Sequence, residues 1–227
     1  MYILSMFIMM ILYVVCIFCM KIMKNTKLWN LIFFLSTYLS YISLVLIIYF
    51  QVGFNDWNFQ NTLPTANVSP FMFSTLPLLY LLPKSLKKYH MMLISLLSVG
   101  MLLATIVNCV YFSSINYAFH YHFLFDYISH LSLSLMGIYF IKSNQLSPNK
   151  KELFLSSIII IIVAFTMMFF NIVFDTAFFG LSLSGKHNIY NNVIVSNSYL
   201  SAVIYFIGLF FVLLAGYILI RFIKKKS

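Results

Sequence analysis

Lysine and arginine in this chain are gathered into four clusters, one after every second long apolar run. Lys21, Lys24 and Lys27 close the first run, and Lys84, Lys87 and Lys88 the third. Lys142, Lys150 and Lys151 close the fifth, and Arg221, Lys224, Lys225 and Lys226 the seventh; of the 14 basic residues only Lys186 stands apart. Short loops rich in Lys and Arg stay on the cytoplasmic side of a membrane, so this rhythm predicts both the number of crossings and their direction. The expected fold class is all-α: a polytopic membrane helical bundle of about seven transmembrane helices, N-terminus outside and C-terminus cytoplasmic.

A chain that is 63% hydrophobic and 8% charged over 227 residues cannot build a water-soluble surface. Its apolar runs match the roughly twenty residues that cross a hydrocarbon layer of about 30 Å. Spans are predicted near residues 2–20, 28–50, 66–83, 91–112, 123–141, 153–174 and 200–220, within a single integral membrane domain, 1–227. The third is short and contains Pro77, so it either begins earlier, near Leu63, or crosses as a kinked segment. The net charge of +10 would suggest nucleic acid in a soluble protein. Here the cations sit at loop ends without interleaved aromatics, so they report topology and a secondary attraction to anionic lipid. The expected partner is membrane lipid, with no nucleic acid, and the expected location is the cell membrane, multi-pass.

Cys16, Cys19 and Cys109 lie inside apolar runs. A Cys-x-x-Cys pair with no His or acid beside it reads as packing rather than as a redox or metal motif. The first run lacks a basic leader and a small-residue cleavage site and is expected to be retained as a span. Outer loops are expected at 51–69, 113–122 and 175–199, the last being long enough for a lid.

Ionisable residues within spans are costly and therefore informative. The fifth span carries His122, Asp126 and His130 at spacings of four, which puts them on one helical face over a rise of about 12 Å. Ser134 and Gly137 extend that face inward. At similar depth lie Asn108 on the fourth span, Asn171 and Asp175 at the outer end of the sixth, and Ser74 and Thr75 on the third. Each has a plain alternative: a lone Ser or Thr bonds to its own backbone, and an interfacial His joins the aromatic belt.

Two chemistries would use this set. His130 can serve as general base toward a hydroxyl of the third span, with Asp126 orienting the imidazole. Alternatively His122, Asp126 and His130 hold a metal that activates water. Seven-span zinc hydrolases draw further histidines from their last span, and the seventh span here has no His, Cys, Asp or Glu. The metal reading is therefore the weaker, and no cofactor or metal is expected.

Three segments carry a resemblance. Pro70-Phe-Met-Phe-Ser-Thr-Leu-Pro77, Phe119-His-Tyr-His-Phe-Leu-Phe-Asp-Tyr-Ile-Ser-His130 and Asn171-Ile-Val-Phe-Asp-Thr-Ala-Phe-Phe-Gly-Leu181 resemble, in order and spacing, the YwaF-type bacterial integral membrane proteins. That group is similar to the animal androgen-induced-gene lipid hydrolases and to a transmembrane acyltransferase. The resemblance covers roughly 63–199. It implies a membrane-embedded histidine at His130 and a nucleophile at Thr75 or Ser74. Bacterial members tend toward a His and a Cys in the third-span motif, where this chain has Met72 and Ser74, and a hydroxyl needs its base more than a thiol does.

The first expectation is accordingly an outer-leaflet lipid ester hydrolase or acyltransferase, with Thr75 or Ser74 as nucleophile, His130 as base and Asp126 as its orienter. Asn108, His122, Asn171 and Asp175 would be supporting polar groups, Asn108 or Asn171 stabilising the oxyanion. The alternatives are a small-molecule transporter or binding protein using the same cavity, and a structural membrane component. Transport would call for pseudo-symmetric halves with matching broken helices, and one broken helix is found. Cysteine-accessibility labelling on intact cells tests the topology: positions 87, 142 and 225 are expected to be protected from outside and positions 56, 116 and 188 labelled. Labelling of 142 with protection of 188 would overturn it.

Overall fold

A backbone in hydrocarbon has no water to bond to, so it must satisfy its own N–H and C=O groups. The computed structural model meets that condition with helices, and no strand occurs among the described residues. These are residues 2–20, 22–52, 68–114, 120–174 and 198–226 for the backbone, and 7–20, 22–46, 71–106, 124–173, 200 and 202–225 for side chains. In chain order the helices are α1 (Tyr2–Cys19), α2 (Thr26–Val52), α3 (Val68–Thr75), α4 (Leu78–Leu81), α5 (Lys84–Ser114), α6 (His120–Lys142), α7 (Lys150–Phe174) and α8 (Ser198–Lys226).

Five of these, α2, α5, α6, α7 and α8, are long and apolar enough to cross a membrane, while α1 and the α3–α4 pair add shorter apolar stretches. Their outer faces carry large exposed hydrophobic side chains, such as Phe18, Ile162, Phe211 and Ile218. A soluble helix would put charge there. An integral membrane protein puts hydrocarbon there.

α6 is the central pillar. Of its spanning stretch 78% is buried, against 22% for each of α2, α7 and α8, and it packs on α1, α2, α3, α5 and α8. Its closest neighbour is α5, and small residues permit the approach. A Cβ at Gly137 would stand 2.8 Å from the Ile94 carbonyl oxygen and 3.0 Å from the Ser95 Cα. The same seam is stitched by hydroxyls: Ser95 Oγ lies 2.9 Å from the Gly137 carbonyl, and Ser134 Oγ donates to the Ser98 carbonyl at 2.7 Å. Because the single Ser134 proton is spent there, Tyr13 of α1 must be the donor in its 2.7 Å bond to Ser134 Oγ.

Helix ends are closed by named groups. Tyr139 donates to the Met23 carbonyl in the turn between α1 and α2 at 2.7 Å, and Lys142 Nζ to the Ile17 carbonyl near the end of α1 at 2.9 Å. At the start of α7, Asn149 and Glu152 cap each other reciprocally, at 2.8 and 2.9 Å, and Glu152 also pairs with Lys88 of α5.

A second close approach joins α5 and α8, where a Cβ on Gly216 would run into the Leu96 backbone, whereas one on Gly208 would meet nothing within 4 Å. Gly216→Ala is expected to destabilise the bundle by about 1–3 kcal/mol, the usual cost of overpacking, and Gly208→Ala to be neutral or slightly stabilising. Thermal unfolding of the two variants in detergent checks the contrast.

Candidate functional site

The site begins at a break. Pro77 has no N–H to give, so the third span cannot continue its helical ladder: α3 stops at Thr75 and α4 restarts at Leu78. Leu76 N bonds the Phe73 carbonyl at 3.3 Å, and Leu79 N then takes the Leu76 carbonyl at 2.9 Å. The Thr75 carbonyl thus loses the donor four residues on that a continuous helix would supply. The ring of His90 on α5 comes up to that carbonyl from another helix. His90 is buried, and its Nε2 has no hydrogen-bond partner among the described residues.

On the other side of α3, the Phe73 ring meets His130 edge-on, with centroids 5.0 Å apart and planes at 87°, and lies 5.4 Å from the Tyr41 ring of α2. His130 is 4% exposed. Its Nδ1 donates to the Asp126 carbonyl at 2.8 Å and stands 3.3 Å from Asp126 Oδ1. The backbone oxygen is the better-placed acceptor, so it fixes the tautomer, while the carboxylate supplies charge at slightly longer range. Ser129 Oγ donates to the same carbonyl at 2.9 Å. In this tautomer the lone pair sits on Nε2, the nitrogen a general base uses.

The structure therefore brings together Asp126, His130 and the third span through Phe73. It does not bring the hydroxyls onto the imidazole. Ser74 Oγ closes on the Phe71 carbonyl at 2.8 Å and Thr75 Oγ1 on the Met72 carbonyl at 3.1 Å, the backbone bonding that Ser and Thr favour in membrane helices. Met72, Phe73 and Leu76 make the buried face of this segment, and Ser74 and Thr75 are half-exposed on its other side. Asn171 is buried on α7, which packs chiefly on α5. The side chains of Asn108 and His122, and the whole of Asp175, lie outside the described residues. Among the described residues no three His, Cys, Asp or Glu side chains gather as a metal would require.

The apolar pattern places the fourth span at 91–112, beyond Lys87 and Lys88, and so puts His90 in a loop. Its signal was position: α5 starts at Lys84, so His90 is already inside the helix. Searches with family models, against curated proteins and against solved structures find no match for the chain. His90→Leu is expected to cost about 1–3 kcal/mol, the penalty for removing the polar group that faces the Thr75 carbonyl, visible as a lowered unfolding temperature in detergent. An unchanged temperature would mean that the Thr75 carbonyl finds another donor.

Proposed function

We propose that this integral membrane protein resides in the cell membrane, basic ends cytoplasmic, and acts on lipid acyl esters as a hydrolase or acyltransferase, in line with the resemblance to the YwaF-type group. The observation that carries the reading is the buried His130, whose Nδ1 is committed to Asp126 beside the break in the third span. A neutral imidazole so oriented offers Nε2 to a hydroxyl proton, and the nearby carboxylate stabilises the imidazolium that results. The hydroxyl would leave its own backbone carbonyl by rotation about χ1 and attack the acyl carbonyl carbon. The proton passes to His130, which returns it to the departing alcohol, and water or a second lipid alcohol then releases the acyl group.

Local geometry favours Ser74 over Thr75 as nucleophile. Phe73 faces His130, and at about 100° per residue Ser74 lies next around the helix, with Thr75 about 200° round on the far side. Thr75 is also the residue whose backbone is tied to His90. Because Ser74 and Thr75 are only part-buried, an ester lying among the lipid tails would have a route to them without passing the core.

A specific observation favours a second reading, a structural polar network. Both hydroxyls are satisfied by their own backbone, and His130 is closed in by Phe73. A lipophilic fluorophosphonate separates the two. The enzyme reading expects labelling within 70–77 that is lost with Ser74→Ala and reduced by at least about a hundredfold with His130→Ala, the scale of a general-base contribution. Labelling that survives His130→Ala, or a well-folded preparation inert to several such probes, supports the structural network.

A further inference from the structure

The last turns of α8 form a groove that no catalytic reading uses. It is an open cleft of about 650 Å³ lined by Tyr217, Ile218, Arg221, Phe222, Lys224 and Lys225. These fall at intervals of three and four, so they share one face of the helix. The walls are graded along the axis. Ile218 and Phe222, 57% and 55% exposed, are apolar and outward-facing, whereas Arg221, Lys224 and Lys225 crowd the end where the span leaves the hydrocarbon.

The cations are undercompensated. Among the four acids of the chain, only Glu152 is described at this end, and it is held by Lys88 and by its cap with Asn149. Lys224 Nζ reaches the Pro148 carbonyl at 3.4 Å, which fixes one rim of the groove against the turn before α7, and it lies within electrostatic reach of Glu152. Arg221 and Lys225, one turn apart, are left facing outward, with no carboxylate among the described residues that line the groove. A surface that is apolar at hydrocarbon depth and cationic at headgroup depth has the polarity profile of an anionic phospholipid, reversed in sign at the head.

We infer that the groove formed by Tyr217, Ile218, Arg221, Phe222 and Lys225 at the basic end of α8 binds one anionic phospholipid, its phosphate between Arg221 and Lys225 and an acyl chain along Ile218 and Phe222. Arginine presents a fork that matches phosphate oxygens bidentately, and the lysine adds a point charge. The inference is independent of the acyl-ester reading.

The test uses the full chain in nanodiscs of mixed phosphatidylglycerol and phosphatidylcholine, with lipid retention read by native mass spectrometry after release. Wild type is expected to retain phosphatidylglycerol selectively. Arg221→Gln with Lys225→Gln should weaken that retention by about thirtyfold, roughly fivefold for each cation removed near a membrane surface. Lys24→Gln with Lys27→Gln, the same charge change at another basic loop, should leave it unaltered. Equal loss in both double variants would reduce the effect to net charge and overturn the inference, as would equal retention of the two lipids by wild type. Displacement of the lipid by inorganic phosphate at constant ionic strength would mark a simple anion site and overturn it as well. If the double variant does not fold, Lys225→Gln alone carries the same test at about fivefold.

Discussion

The contact between α5 and α6 at Gly137 is the constraint on which the rest of the bundle depends. Hydrocarbon offers no hydrophobic gain for bringing two apolar helices together, so close backbone approach and interhelical hydrogen bonds must supply it. A missing Cβ at Gly137 lets Ile94 and Ser95 come within van der Waals range, and the hydroxyls of Ser95 and Ser134 then reach carbonyls across the seam. Tyr13 extends the same line to α1. With that seam closed, α6 becomes the pillar around which α1, α2, α3 and α8 are also placed.

The position of the ionisable pair follows from this arrangement. A carboxylate facing lipid at this depth would be expensive, and Asp126 is instead turned into the bundle with His130 above the same helical face as Ser134 and Gly137. The break in the third span is held from both sides in the same economical way. His90 of α5 comes up to the Thr75 carbonyl, whose helical donor Leu79 N has turned to Leu76, and the His130 ring of α6 packs edge-on against Phe73. Two histidines from the two helices of the central seam thus flank the break between α3 and α4, and irregular backbone within a membrane persists where protein covers it.

How far all this was legible depends on whether the signal is local. The all-helical membrane fold was legible because charge at loop ends and runs of apolar residues are one-dimensional properties. Asp126 and His130 were legible as a pair because a spacing of four decides their mutual position. Pro77 announced the break, since proline has no N–H wherever it stands. The partner of the break was hidden: whether Thr75 meets His90 depends on how α3 and α4 lie on α5, and no spacing records that. The rotamers of Ser74 and Thr75 were equally out of reach, because a hydroxyl chooses between its own carbonyl and a neighbour only once the neighbour is in place. For Asn108, His122 and Asp175 the described residues add nothing to what the sequence offers.

What the account asks of His130 is specific: a neutral ring with its proton on Nδ1 and a lone pair on Nε2, held there chiefly by the Asp126 carbonyl. Nitrogen-15 NMR of the selectively labelled histidine in lipid bilayers near neutral pH reads this directly. The expected spectrum shows a protonated Nδ1 and a bare Nε2, a pattern that persists in Asp126→Asn because the backbone acceptor remains. A ring protonated on both nitrogens, or one with its proton on Nε2, would leave no base beside the third span and would contradict it.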